Sequence, residues 1–186
     1  MNSSFAEAVD AWGPFFSAVA GAAATLVGLL FVALALNPTV MADSGPAGLR
    51  VWAGQSFHSF LMVLVVSLVA LIPDETPVAI AITLGIVGTT GFLGVVRSVR
   101  RARTDPDPDW HTRHALLRFL SPALAYLVCL WAAAEAWQGD PDALNWIVAV
   151  VFLLTLSASA RSWDLLKAMG VRMSDEARAL ATTARD

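Results

Sequence analysis

The chain has 186 residues, 57% of them hydrophobic, with a formal net charge of −3. A soluble domain is about 45–50% apolar. The excess here lies in five runs of the length that a helix needs to cross a bilayer, about 20 residues, which leaves almost nothing for a separate soluble domain. A single cysteine, Cys129, excludes an intrachain disulfide, and with only three histidines beside it a multi-ligand metal site has too few donors.

The amino-terminal MNSSFAEAVD carries Glu7 and Asp10 and no basic residue, so it does not read as a cleavable signal peptide. The first apolar run, about 14–36, ends before Asn37-Pro38, where proline cannot continue the helical register. It is rich in small residues. Ala20, Ala24 and Gly28 recur at four-residue spacing, as do Ser17, Gly21 and Thr25, and helices in lipid approach one another closely along such faces.

The second run, about 51–72, stops at Pro73 and places Gln55, His58 and Ser59 on one helical face. Counted from Arg50 at 1.5 Å per residue, His58 lies roughly 12 Å into the membrane. Ionisable residues at such depth face a bundle interior or a water-filled cavity. Two readings stand: a hydrated vestibule or proton-sensitive gate lined by Gln55 and His58, and a neutral histidine hydrogen-bonded to a neighbouring helix.

The third run, about 77–96, opens with Pro77, which a first helical turn tolerates. Gly85, Gly88, Gly91 and Gly94 follow at three-residue spacing and predict close packing, either between subunits or within one protomer. The polar joint 97–118 holds Arg97, Arg100, Arg101, Arg103, Arg113 and Arg118, and the first four are expected to meet anionic headgroups. His111 and His114 in the same joint have a weak metal-ligand spacing beside Asp107 and Asp109.

The fourth run, about 119–137, carries Glu135 one turn from its end. A ring of Glu135 carboxylates around an oligomer axis would attract cations; the alternative is an interfacial side chain bonded to Asn145 or water. The fifth run, about 143–163, leads into a tail, 164–186, expected to continue as polar helix with a break at Gly170 and a new N-cap at Ser174.

The expected fold class is therefore all-α, a polytopic bundle of five transmembrane helices in one domain, 1–186. Threading fixes an orientation. The amino terminus and the joints 73–76 and 138–142 share a side that holds no Lys or Arg; the joints 37–50 and 97–118 and the tail share the other, which is assigned all twelve. The positive-inside rule places the amino terminus outside and the tail in the cytoplasm. Trp12, Trp137 and Trp146 then fall near the outer boundary, and Trp52, Trp110 and Trp163 near the inner one.

No GxSxG, HExxH or GxxxxGK[ST] pattern occurs, and no run contains the lysine of a retinal-type Schiff base. The chain is expected to be non-enzymatic and to hold no cofactor.

FFSAVAGAAATLVGLLFVALALNP (15–38) resembles the first span of a group of small actinobacterial integral membrane proteins, which share its small-residue opening, its GLLFVA core and the following Asn. Leu71-Ile72-Pro73 matches the end of their second span. The resemblance implies a multi-pass protein of a bacterial cytoplasmic membrane. Some members carry a label as modulators of a membrane-bound ATP-dependent protease, which attaches to no motif here.

The expected function is an oligomeric channel or small-solute conduit with passive permeation, Gln55 and His58 at its inner mouth and Glu135 outside. The alternative is a regulatory or scaffolding protein acting through helix contacts and the basic loop. The partners expected are the lipid bilayer, further copies of the chain or another membrane protein, and no nucleic acid.

Overall fold

A computed structural model of the chain describes residues 2–36, 47–72, 76–104 and 113–183, and among them there are five helices and no strand. They are α1 (Asn2–Leu36), α2 (Ala47–Val69), α3 (Pro77–Thr104), α4 (Arg113–Trp137) and α5 (Ala143–Thr183). Four contain stretches long and apolar enough to cross a membrane, Glu7–Leu36, Pro77–Arg100, Phe119–Trp137 and Ala143–Lys167; α2 contributes a shorter apolar stretch, Ala53–Val69. The fold is that of a membrane protein.

Two helix ends depart from expectation. α1 begins well upstream of Pro14, because Phe5 and Val9 are buried in the core and their packing carries the helix through the proline. α5 runs unbroken through Gly170 to Thr183, so Ser174 lies inside a helix and does not start a new one. A single helical glycine costs about 1 kcal/mol relative to alanine, too little to break a helix with good formers on both sides.

The two short joints are well specified. Thr76 caps α3, its hydroxyl accepting from Ala79 N–H at 3.3 Å, with Pro77 at the first helical position. α4 ends in a Schellman turn at Gly139, which adopts φ +75°. Asp140 N–H donates to Glu135 C=O at 3.2 Å and Gly139 N–H to Ala136 C=O at 2.9 Å. Asp140 Oδ1 then accepts from Asp142 N–H at 3.0 Å, turning the chain into α5.

Helices α2, α3, α4 and α5 close into a ring in which each packs on two others, with α3 on α4 the most extensive contact. α1 lies outside the ring, against α2 and touching only the edge of α5. Its apolar stretch is 22% buried, against 44% for that of α5, which makes it the peripheral helix. An apolar cavity of about 130 Å³, lined by residues such as Phe15, Val19, Leu26, Val63 and Phe152, lies between α1, α2 and α5.

The ring is filled. Ala125, Cys129, Ala132 and Ala136 form a fully buried small-residue stripe along α4, and Ala143, Ile147 and Leu154 meet it from α5. Cys129 Sγ donates to Leu84 C=O at 3.3 Å, tying α4 to α3.

Candidate functional site: a buried guanidinium

The buried face of α5 repeats as Leu154, Ala158, Arg161 and Leu165, the spacing of one helical stripe. Arg161 thus occupies a core position, with 5% of its surface exposed. Its Nη2 donates to the Ser59 hydroxyl of α2 at 3.0 Å. Ser59 and Tyr126 of α4 are hydrogen-bonded through their side chains, so three helices meet at this point. One turn earlier on α2, the Ser56 hydroxyl donates to Ala158 C=O at 3.3 Å.

The Ser56–Ala158 bond sets the antiparallel register of α2 and α5. Ser59 lies three residues beyond it in one direction and Arg161 three residues beyond it in the other, so the arginine side chain, its hydrogen bond and the Ser59 hydroxyl together bridge about 9 Å along the axis. In a helix, side chains lean toward the N-terminus. Arg161 therefore extends toward the middle of the bundle, away from the charge-rich end of α5.

Depth follows from helix rise. Ser59 lies ten residues before the end of α2, about 15 Å, and Tyr126 eleven before the end of α4, about 16 Å. Both levels are near the midpoints of the apolar stretches of α2 and α4, and the Arg161 guanidinium reaches them.

Its hydrogen bonding is incomplete. Arg161 Nε and Nη1 are buried without a partner, and so are both amide atoms of Gln55, one turn from Ser59 on α2. Ser162 Oγ is likewise buried and unpartnered. Along α5 the next carboxylate, Asp164, pairs with Lys167 at 2.8 Å.

Of the expected polar face, Ser59 is fully buried against α5 and the Gln55 amide atoms are buried as well. His58 is half-buried with its ring centroid 6.5 Å from that of Tyr126, tilted by 49°. Glu135 is half-buried at the far end of α4, where its backbone carbonyl closes the Schellman turn; Asn145 Nδ2 donates to Asp142 Oδ1 at 3.4 Å.

The glycines divide. Gly88 and Gly91 face α4 of the same chain: a Cβ on Gly88 would lie 2.8 Å from Leu130, and one on Gly91 would overlap the Tyr126 ring. Gly85 has open space at its Cβ position. On α1, Ala20 and Ala23 are buried, whereas Ser17, Gly21, Ala24, Thr25 and Gly28 are exposed.

Arg97 and Arg100 are exposed near the end of α3, and Arg101 and Arg103 continue that helix to Thr104. Asp107, Asp109 and His111 of the weak metal pattern lie outside the described residues, among which no cluster of metal ligands occurs.

Arg161, Tyr126, Ser56 and Ser162 were not singled out by the sequence. The joints 37–50 and 97–118 and the tail hold eleven of the twelve basic residues, and the twelfth, Arg161, stands two residues inside the end of the fifth run. The stripe Leu154–Ala158–Arg161–Leu165 is the signal that marks it.

Comparison with known proteins adds no relative: no family model matches the chain, and neither a curated protein nor a solved structure is significantly similar to it.

Proposed function

We propose that this chain is a multi-pass protein that moves a small solute across the bilayer by binding it inside the α2–α4–α5 junction. The observation that carries this reading is the Arg161 guanidinium, buried at the level of the helix midpoints with donors unmet, a position that five crossings would put near mid-membrane. Charges held at such depth are costly and mark substrate or ion pathways. A filled ring favours an occluded binding site over a continuously open pore. Five crossings with the amino terminus outside agree with the segregation of basic residues, and a bacterial cytoplasmic membrane suits that bias.

A second reading has its own support. The exposed small-residue face of α1, Ser17, Gly21, Ala24 and Gly28, sits on the peripheral helix and fits a contact with a second copy or another membrane protein. In that case the protein scaffolds or regulates through helix contacts.

Purified protein in liposomes separates the two. Saturable, protein-dependent solute uptake that Arg161→Met abolishes supports transport. No uptake of any solute tested, from a protein that pulls down a specific membrane partner, supports the scaffold.

A further inference from the structure

We propose that the α2–α4–α5 junction binds a small free monoanion bearing two or more oxygens, a carboxylate or an oxoanion such as nitrate, with Arg161 and Gln55 as its ligands. This deepens the transport reading and rests on it only for its purpose, since the site can be tested by binding alone.

The chemistry is a surplus of donors over acceptors. Arg161 keeps one N–H on Nε and two on Nη1 without an acceptor, while Gln55 leaves two N–H on Nε2 and its uncharged carbonyl Oε1 unpartnered, so five donors stand against one neutral acceptor atom. The Ser59 hydroxyl, already engaged with Tyr126, takes only Nη2. What the cluster lacks is an acceptor that also brings negative charge. A water molecule would accept hydrogen bonds but leave the charge uncompensated in a low-dielectric interior. An anion with two oxygens does both, because guanidinium geometry matches a pair of acceptor atoms. One cation with neutral neighbours balances one negative charge, which selects monoanions over dianions.

The surroundings agree. The seam between α2 and α5 here is built from Ala53, Ser56, Ser59, Ser157 and Ala158, all small and buried, so a modest separation of the two helices opens room for a few atoms. The end of the bundle nearer to Arg161 carries the exposed Arg97 and Arg100, whose field concentrates anions. A lipid phosphate is held at the interface, whereas this guanidinium is directed toward the middle of the bundle, which favours a free anion.

The test uses the full chain in phosphatidylcholine nanodiscs at constant ionic strength. Thermal unfolding is followed as chloride is replaced by nitrate, acetate or sulfate. The expected result is a saturable rise in midpoint with nitrate or acetate, absent with sulfate. It is lost in Arg161→Met, weakened at least tenfold in apparent affinity in Gln55→Leu, and retained in the surface control Asp10→Asn on the peripheral helix. An equal rise in Arg161→Met, or no saturable rise with any anion, overturns the proposal. A rise that follows added phosphatidylglycerol and ignores soluble anions overturns it in favour of a headgroup. Binding without liposome uptake removes the transport reading and leaves the site; uptake without binding removes the site.

Discussion

The ring of Tyr126 lies directly on Gly91, so α4 approaches α3 as closely as the missing side chain allows. The same tyrosine bonds Ser59 of α2, and Ser59 in turn accepts from Arg161 of α5. Close packing on one side of Tyr126 thus positions the polar junction on the other.

Gly91→Ala is expected to lower stability by about 1–3 kcal/mol, the usual cost of overpacking a core. Gly94→Ala, with open space at its Cβ position, leaves stability within about 1 kcal/mol of the wild type. Thermal unfolding of both variants in one detergent checks the pair, and equal midpoints would contradict the α3–α4 packing.

Arg161→Met is expected to raise the unfolding midpoint in anion-poor buffer. It exchanges a buried, half-satisfied charge for an apolar side chain of similar length, a change that gains about 1–4 kcal/mol even where the charge was paired. Ser59→Ala acts in the opposite direction, because it removes the acceptor of Nη2 and costs about 1–3 kcal/mol. The two midpoints should fall on opposite sides of the wild type. A strong loss in Arg161→Met would mean that the charge is already balanced.

Cys129 is fully buried and donates to Leu84 C=O across the α3–α4 contact. A membrane-permeant maleimide is expected to leave it unmodified in the folded protein for hours and to modify it within minutes in denaturing detergent. Mass spectrometry reads the outcome, and rapid labelling of folded protein would show that this core is open.

Much of the architecture is legible from hydropathy, because proline and glycine punctuate the runs and the runs match a bilayer. The ends of α1 and α5 are not. Phe5 and Val9 carry α1 past Pro14 by tertiary packing, which a local signal such as proline cannot register. The face shared by Gln55, His58 and Ser59 is visible from spacing, but its inward direction depends on α5, more than 80 residues away in sequence. Arg161 is hidden for a related reason: a charge close to a span end reads as interfacial, and only the register set by Ser56 and Ala158 turns it inward. Small-residue spacing is equally ambiguous, since it marks the buried stripe Ala125–Ala136 and the exposed face of α1 alike.

On α1 the two faces give opposite predictions. Ala20 is buried and does not line the apolar cavity, and Ala20→Leu should destabilise the protomer by about 1–3 kcal/mol. Gly21 and Ala24 are exposed, so the double substitution Gly21→Leu, Ala24→Leu should leave the protomer intact and reduce the mass of any complex to that of the monomer. Light scattering in detergent separates these results. A complex that survives the double substitution is not held together by α1.

The orientation can be tested with single cysteines in a Cys129→Ala background. Asp10, Asn145 and Lys167 are all exposed and lie on α1 upstream of Pro14, at the start of α5 and beyond Trp163. With the amino terminus outside and five crossings, an impermeant maleimide added to intact cells should label Asp10→Cys and Asn145→Cys. Lys167→Cys should react only after permeabilisation. Lys167 is the informative position, since it is separated from Asn145 by α5 alone and shares its end of the bundle with Arg97 and Arg100. If it is labelled from the medium while Asn145→Cys is protected, the chain is inverted, and the arginine-rich end that would gather anions faces the exterior. If Asp10→Cys and Lys167→Cys react from the same side, the number of crossings is even, and α2, with the shortest apolar stretch, is the first candidate for a helix that does not cross.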